Sequence, residues 1–169
     1  QTGEVEEDES RNIMVESARI ARGPVRDVAT VEASEFDALV LPGGFGAAKN
    51  LCDFAIKGAD CEIDHDVASL ILEMHNLDKP ILAMCIAPVV AAKALTDGGV
   101  NPRLTIGNDK DTAGALEKLG AIHEDQTVDG VTIDQSNKVI STPAYMLGPE
   151  IKDIATGIEK AIAGLMEML

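Results

Sequence analysis

From Phe36 onward the apolar and polar positions fall into alternating blocks with the lengths of short strands and helices. Asp37-Ala38-Leu39-Val40-Leu41 is a brief apolar run closed by Pro42-Gly43-Gly44, the pattern of a buried strand and a turn. His65 to Leu77 puts Val67, Leu70, Ile71 and Met74 on one helical face behind an acidic first turn of Asp64 and Asp66. Pro80 to Met84 reads as a second strand and Ala87 to Leu95 as a helix. Leu104 to Gly107 reads as a short strand, and Thr112 to Leu119 as a helix that Asp111 is placed to cap and Gly120 to stop. Thr127 to Asp134 alternates around the hairpin signal Asp129-Gly130, and Lys138 to Thr142 is a further strand ended by Pro143. Ile151, Ile154, Ile158, Ile162, Leu165 and Leu169 recur at spacings of three and four, predicting one long amphipathic helix against a sheet. The alternation predicts an α/β sandwich with right-handed crossovers, whose ligands gather at the carboxyl ends of strands. Arg11 to Arg22 is compatible with a helix or with a strand followed by a helix, and Gln1 to Ser10 reads as a solvated acidic loop.

At 169 residues, with 46% hydrophobic and 25% charged positions, the chain is expected to form one domain, 1-169, with a sizeable core. No apolar run approaches the roughly 20 residues needed to span a bilayer, and the N-terminus lacks a secretory pattern, so a soluble chain with no membrane partner is expected. A formal net charge of -15 repels phosphate backbones, and four aromatics (Phe36, Phe45, Phe54, Tyr145) supply little for base stacking. Nucleic acid is excluded as a partner on these grounds; a small, polar ligand fits better. Cys52, Cys61 and Cys85 are odd in number and lack C-x-x-C spacing, which argues against a disulfide scaffold or a structural zinc site and for a reducing compartment.

Two segments carry candidate chemistry. In Lys79-Pro80-Ile81-Leu82-Ala83-Met84-Cys85-Ile86-Ala87-Pro88 a cysteine stands at a strand-to-helix turn, facing a helix amino end where unpaired N–H groups stabilise a thiolate. Taken alone, this thiol is slightly better explained as core packing. The loop Pro42-Gly43-Gly44-Phe45-Gly46-Ala47-Ala48 also leaves a strand, and reads either as an anion cradle or as a turn that needs positive φ. It matches neither the dinucleotide fingerprint nor a phosphate-binding loop. The two segments occupy equivalent places in neighbouring βα units, so the amides of Gly44 and Ile86 are expected to point at the oxygen that becomes charged when Cys85 attacks a carbonyl.

Pro42-Gly43-Gly44-Phe45-Gly46-Ala47-Ala48-Lys49-Asn50, with Cys85-Ile86-Ala87-Pro88 and Thr142-Pro143-Ala144-Tyr145-Met146, resembles the ElbB-type proteins of the class I glutamine-amidotransferase-like and PfpI superfamily. The resemblance extends to Arg11-Asn12 and Glu16 to Gly23. It implies a flavodoxin-like three-layer sandwich with a mainly parallel sheet, a nucleophile elbow at Cys85, and oxyanion donors at Gly43, Gly44 and Ile86. Members are described as isoprenoid-biosynthesis-associated or as cofactor-independent glyoxalases, so the resemblance implies no cofactor, a small carbonyl substrate and a homodimer, in the cytoplasm or, in a eukaryote, the mitochondrion. Relatives begin with a strand, a helix and a strand ahead of the position of Gln1, with a carboxylate beside the cysteine, so an incomplete N-terminus is expected. Ile86 stands where amidotransferase and protease relatives carry a histidine, and Asn108 where some relatives have one nearby, so glutaminase or peptidase activity is not expected.

Lys49, Asn50, Asn108 and Tyr145 are the remaining candidates for substrate contact, each with a plain solvation or packing alternative. His123 reads as structural and His65 and His75 as belonging to one exposed helix. The acidic run Asp60 to Asp66 reads as helix capping, and no metal is assigned. The leading expectation is a cysteine-dependent, cofactor-free enzyme acting on small 2-oxoaldehydes; the rival is a non-catalytic domain whose elbow cysteine is a redox switch or interaction site.

Overall fold

Ile81–Met84 is buried at every position, which a strand achieves only when both faces of its sheet are covered. In the computed structural model, which describes residues 10–148 and 150–169, this strand is β2. Leu82 and Met84 pack with Ile140 against Ala161 and Leu165 of the last helix, whereas Ala83, pointing the other way, meets Ala87 and Ala91 of the helix that follows β2. Period-two alternation therefore divides one apolar run between two helical layers, giving the three-layer sandwich.

The described residues fall into two compact units, one ending at Val31 and the other running from Glu32 to Leu169. The first holds α1 (Ile13–Ala21), capped by Asn12, whose side chain accepts from Val15 N at 3.1 Å, and ended by a left-handed Arg22. The second holds a four-stranded sheet in the order β1 (Leu39–Leu41), β2, β6 (Val139–Thr142), β5 (Thr132–Asp134). The first three strands are parallel and β5 is antiparallel, with Leu39 opposite Ile81 and Met84 opposite Thr142. β3 (Arg103–Leu104) and β4 (Ile122–His123) form a separate parallel pair. The helices are α2 (Phe54–Lys57), α3 (His65–Asn76), α4 (Ala87–Asp97), α5 (Lys110–Lys118) and α6 (Ile151–Met168).

Several expectations shift in detail. The Leu104 to Gly107 strand ends at Leu104, because the Thr105 amide turns to the Ser141 hydroxyl at 2.8 Å and Gly107 adopts φ 101°. Asp109, not Asp111, caps α5, its carboxylate accepting from Thr112 N at 2.9 Å. The hairpin joins β5 to β6 through Gln135 to Lys138, where Asp134 organises the turn, and not through Asp129-Gly130. On α6 the spacing is right but the buried stripe is Ile154, Gly157, Ala161, Gly164 and Leu165, leaving Ile151 and Ile162 exposed. Small residues face inward because the helix lies close to its neighbours: a β-carbon on Gly157 would stand 2.7 Å from the Val128 carbonyl oxygen. Arg11 to Arg22 resolves to the helix α1, and the acidic opening lies outside the described residues apart from Ser10.

Asp134 couples the two sheets, its buried carboxylate accepting from Arg103 N, Ser136 Oγ, Asn137 N and Asn137 Nδ2 at 2.7 to 3.1 Å. Burial opposes its charge, but these donors outweigh it and hold its pKa below the ordinary carboxylate value. Its contribution is thus present in full above about pH 4 and is lost as pH falls through the lower folded value. Asp134→Ala should cost about 2 kcal/mol at pH 7 by urea unfolding, a gap that narrows with acidification; a gap that is unchanged at pH 2 contradicts this assignment. Glycines separate in the same assay. Gly114, with open space where a β-carbon would go, should accept alanine with a gain of about 0.5–1 kcal/mol, while Gly157→Ala should destabilise by about 2 kcal/mol.

Candidate functional site

β1 and β2 run parallel in adjacent register, so the loops leaving their carboxyl ends emerge side by side. After Leu41 the chain passes through Pro42 into Gly43 and Gly44, both left-handed at φ 88° and 87°. After Met84 it turns through Cys85 at φ 57°, a conformation that a residue with a β-carbon adopts at a cost of about 1–2 kcal/mol. Ile86 then caps α4, whose Ala87 and Pro88 are buried in its first turn. This is a nucleophile elbow: the sharp turn lifts Cys85 from the sheet to the amino end of α4, where it is partly exposed.

The glycine loop and the elbow touch. A β-carbon on Gly43 would stand 2.4 Å from the Met84 carbonyl oxygen, 2.9 Å from Cys85 Cβ and 3.3 Å from Ile86 N. Only a residue without a side chain fits there. Gly44, by contrast, has open space around it. The third support comes from β6. Cys85 N–H donates to the Thr142 carbonyl at 3.1 Å, extending the β2–β6 ladder through the elbow, and Thr142 Oγ1 donates to Gly130 O at 2.9 Å. The Cys85 amide is thereby engaged, while the backbone bonds of the described residues include none donated by Gly44 or Ile86.

The other sequence candidates lie on the loops around this centre. Gly46 leads into a single π-helical turn, Ala47–Leu51, with Ala47 and Ala48 buried and Lys49 and Asn50 exposed. Lys49 Nζ sits 5.5 Å above the Phe45 ring, and Asn50 Nδ2 lies 3.5 Å from where a Gly46 β-carbon would be, so Asn50 folds back over the loop. Tyr145 is exposed on a short 3-10 turn that begins with left-handed Ala144, immediately after β6. Asn108 is exposed beyond Gly107, whose β-carbon position is filled by the Leu147 side chain, which brings the loop after β3 against the loop after β6. No hydrogen bond among the described residues joins Lys49, Asn50, Asn108 or Tyr145 to Cys85. Thr142 and Ala144 lie in the Thr142 to Met146 motif, but nothing in residue type shows that the Thr142 carbonyl supports the elbow, and the positive φ at Ala144 carries no glycine to announce it.

The histidines are engaged elsewhere. His123 Nε2 accepts from Ile106 N at 3.4 Å, with Nδ1 3.6 Å from Asp125 and the side chain 5% exposed, a structural role. His75 Nδ1 faces Asn137 O, before β6 begins, and His65 faces Asp66. Asp64 of the acidic run caps α3 through Asp66 N and Val67 N. Cys85 hydrogen-bonds no histidine or carboxylate among the described residues.

No family model matches the chain. It is 42% identical over 175 residues to the human "glutamine amidotransferase-like class 1 domain-containing protein 3, mitochondrial", an alignment covering 98% of this chain and 64% of the human protein. The chain thus spans just under two thirds of that relative's length. The crystal structure of an isoprenoid biosynthesis protein with amidotransferase-like domain from Ehrlichia chaffeensis superposes with a TM-score of 0.85 at 35% identity, covering 96% of this chain and 73% of that one. A DJ-1/ThiJ/PfpI-like and ferritin-like two-domain protein from Anabaena variabilis, 20% identical over 82% of this chain and 32% of its own, shares the fold with a TM-score of 0.55. The elbow, the glycine loop that packs against it and these likenesses agree: the chain belongs to the ElbB-type amidotransferase-like proteins of the class I glutamine-amidotransferase-like superfamily.

Proposed function

We propose that this protein is a cofactor-independent, cysteine-dependent enzyme that converts small 2-oxoaldehydes to 2-hydroxy acids. The observation that supports this reading is the packing of Gly43 against Cys85 and the Ile86 amide, which sets a nucleophile beside backbone donors. The Cys85 sulfur adds to the aldehyde carbon, and the Gly44 and Ile86 amides receive the oxyanion of the hemithioacetal. A base moves the proton from that carbon to the neighbouring one, so the aldehyde is oxidised to a thioester as the ketone is reduced to an alcohol. Water then releases the hydroxy acid and restores the thiol. Lys49 and Asn50 are the candidates to orient a carbonyl or carboxylate, with Tyr145 and Asn108 on the rim. The association with isoprenoid biosynthesis named for the Ehrlichia relative extends by likeness to the physiological setting proposed here, a reducing compartment that is cytoplasmic in a bacterium and mitochondrial in a eukaryote.

The absence of a histidine or carboxylate bonded to Cys85 among the described residues favours a second reading, in which the elbow serves as a redox-sensitive or partner-binding site without turnover. Incubation with methylglyoxal and no glutathione separates the two. Under the enzymatic reading the unmodified protein yields lactate and Cys85→Ala yields at least about 100-fold less; equal yields from both remove the enzymatic reading.

Gly43→Ala tests the cradle. The clash with the Met84 carbonyl should cost about 2 kcal/mol of stability and lower turnover about 100-fold. Gly58→Ala carries a comparable backbone penalty at φ 58° without a clash, and should leave turnover intact. Equal turnover in the two variants would remove the cradle from the mechanism.

A further inference from the structure

Cys52 and Cys61 are buried, at 5% and 3% exposure, and take no part in the elbow. The segments that carry them are clamped together as a short antiparallel ladder. Cys52 bridges to Ile63, Asp53 N donates to Glu62 O at 3.1 Å, and Asp64 N donates to Leu51 O at 2.9 Å. Glu62 N also donates to the Asp53 carboxylate at 2.7 Å. In such a ladder residue 61 shares a face with 63, diagonal to Cys52. Cys61 lies close enough to Cys52 for each thiol to influence the other's titration, and Cys52 Sγ donates to Ala47 O at 3.6 Å. Two buried thiols thus share one face of the ladder, next to the π-helical turn that carries Lys49 and Asn50.

We propose that Cys52 and Cys61 are a two-electron oxidation site, a dithiol that hydrogen peroxide or a comparable hydroperoxide converts to an intramolecular disulfide. One sulfur attacks a peroxide oxygen to give a sulfenic acid and hydroxide. The second sulfur attacks the sulfenic sulfur, the S–S bond forms, and the departing hydroxide takes the remaining thiol proton as water. Two thiols and one peroxide yield one disulfide and two waters. The Ala47 carbonyl loses its thiol donor in the process, so the π-helical turn is the part of the candidate site that oxidation alters.

The site is slow to react at neutral pH by construction. Burial and the neighbouring Cys52 push the Cys61 thiol up to about 11, with Lys93 opposing and Asp53 adding to the rise, and burial raises Cys52 as well. On the segment between the two cysteines Ala55, Ile56 and Lys57 of α2 are exposed. The dithiol is separate from Cys85, whatever the role of that residue, and the experiment is therefore done without Cys85.

In Cys85→Ser protein treated with hydrogen peroxide and then alkylated, both remaining thiols should be protected and intact mass should fall by two hydrogens. Peptide mapping should join the segments containing residues 52 and 61 within a monomer, and dithiothreitol should reverse all three changes. The rate should rise about tenfold per pH unit from pH 7 to 9, as the thiolate population grows. The oxidised form should melt about 5 °C higher than the reduced one. Persistence of two alkylatable thiols, stepwise oxygen addition without linkage, or a covalent dimer would each overturn the proposal. Cys61→Ser in the same background, which should gain oxygen or stay unchanged but never lose two hydrogens, guards against a misassigned bridge.

Discussion

The left-handed backbone at Cys85 is the constraint that the surrounding structure is arranged to satisfy. A β-carbon residue at φ 57° costs about 1–2 kcal/mol, and the turn persists because its neighbours on four sides leave it no alternative. Below it, Ile81–Met84 is fixed by burial on both faces. Beside it, β6 continues the ladder one residue past the strand and takes the Cys85 amide on the Thr142 carbonyl. On the other side Gly43 presents bare backbone to Cys85 and Ile86. Beyond it, α4 is almost wholly buried, which holds the helix amino end against the turn. The small residues follow from the same geometry: alanines on the buried face of α4, glycine at 43, and Gly157 on α6, whose β-carbon would stand 3.1 Å from Thr142 Oγ1. Close approach of α6 thus bears on the elbow through Thr142.

This explains why the elbow, its strand, its helix and its glycine loop are legible and its support from β6 is not. A strand with two buried faces must be continuously apolar, and a helix packed closely on it must be rich in alanine, so Pro80 to Leu95 announces strand, turn and helix within sixteen consecutive positions. The glycine loop is likewise written in residue type, since Gly43 and Gly44 need positive φ. Thr142 contributes a backbone carbonyl and Ala144 a left-handed turn without glycine, and neither leaves a mark in residue type. Registers and tertiary distances decided the other differences. Leu104 to Gly107 is apolar enough for a strand, but Ser141 captures the Thr105 amide. The isoleucine period of α6 located the helix and part of its inward face, Ile154, Ile158 and Leu165, but not the glycines and alanine between them, which face inward because they let the backbone come closest.

Chemically, the arrangement is asymmetric. In the proposed reaction a sulfur at a helix amino end, with the Ile86 amide close by, adds to a carbonyl, where charge develops on oxygen and nothing need leave. Hydrolysis of an amide requires in addition a group that protonates the departing nitrogen, commonly a histidine on the cysteine. His65, His75 and His123 are each engaged away from Cys85, His123 by a backbone amide on Nε2 and Asp125 near Nδ1. Within the described residues, then, none of the three histidines is placed at Cys85 to serve a departing nitrogen.

The three cysteines occupy two distinct environments, and burial separates them. Cys85 is partly exposed at a positive helix end, where a sulfur meets small molecules from solvent. Cys52 and Cys61 lie within the unit, where removal from water disfavours the thiolate and slows any encounter with an oxidant. Yet they are joined to the site mechanically. Ala47 accepts from Cys52 and begins the π-helical turn, while Asp64 both pairs with Leu51 at the turn's end and caps α3. A covalent link between the two sulfurs would therefore act on the turn that holds Lys49 and Asn50, and leave the elbow's own supports from β2, β6 and Gly43 in place.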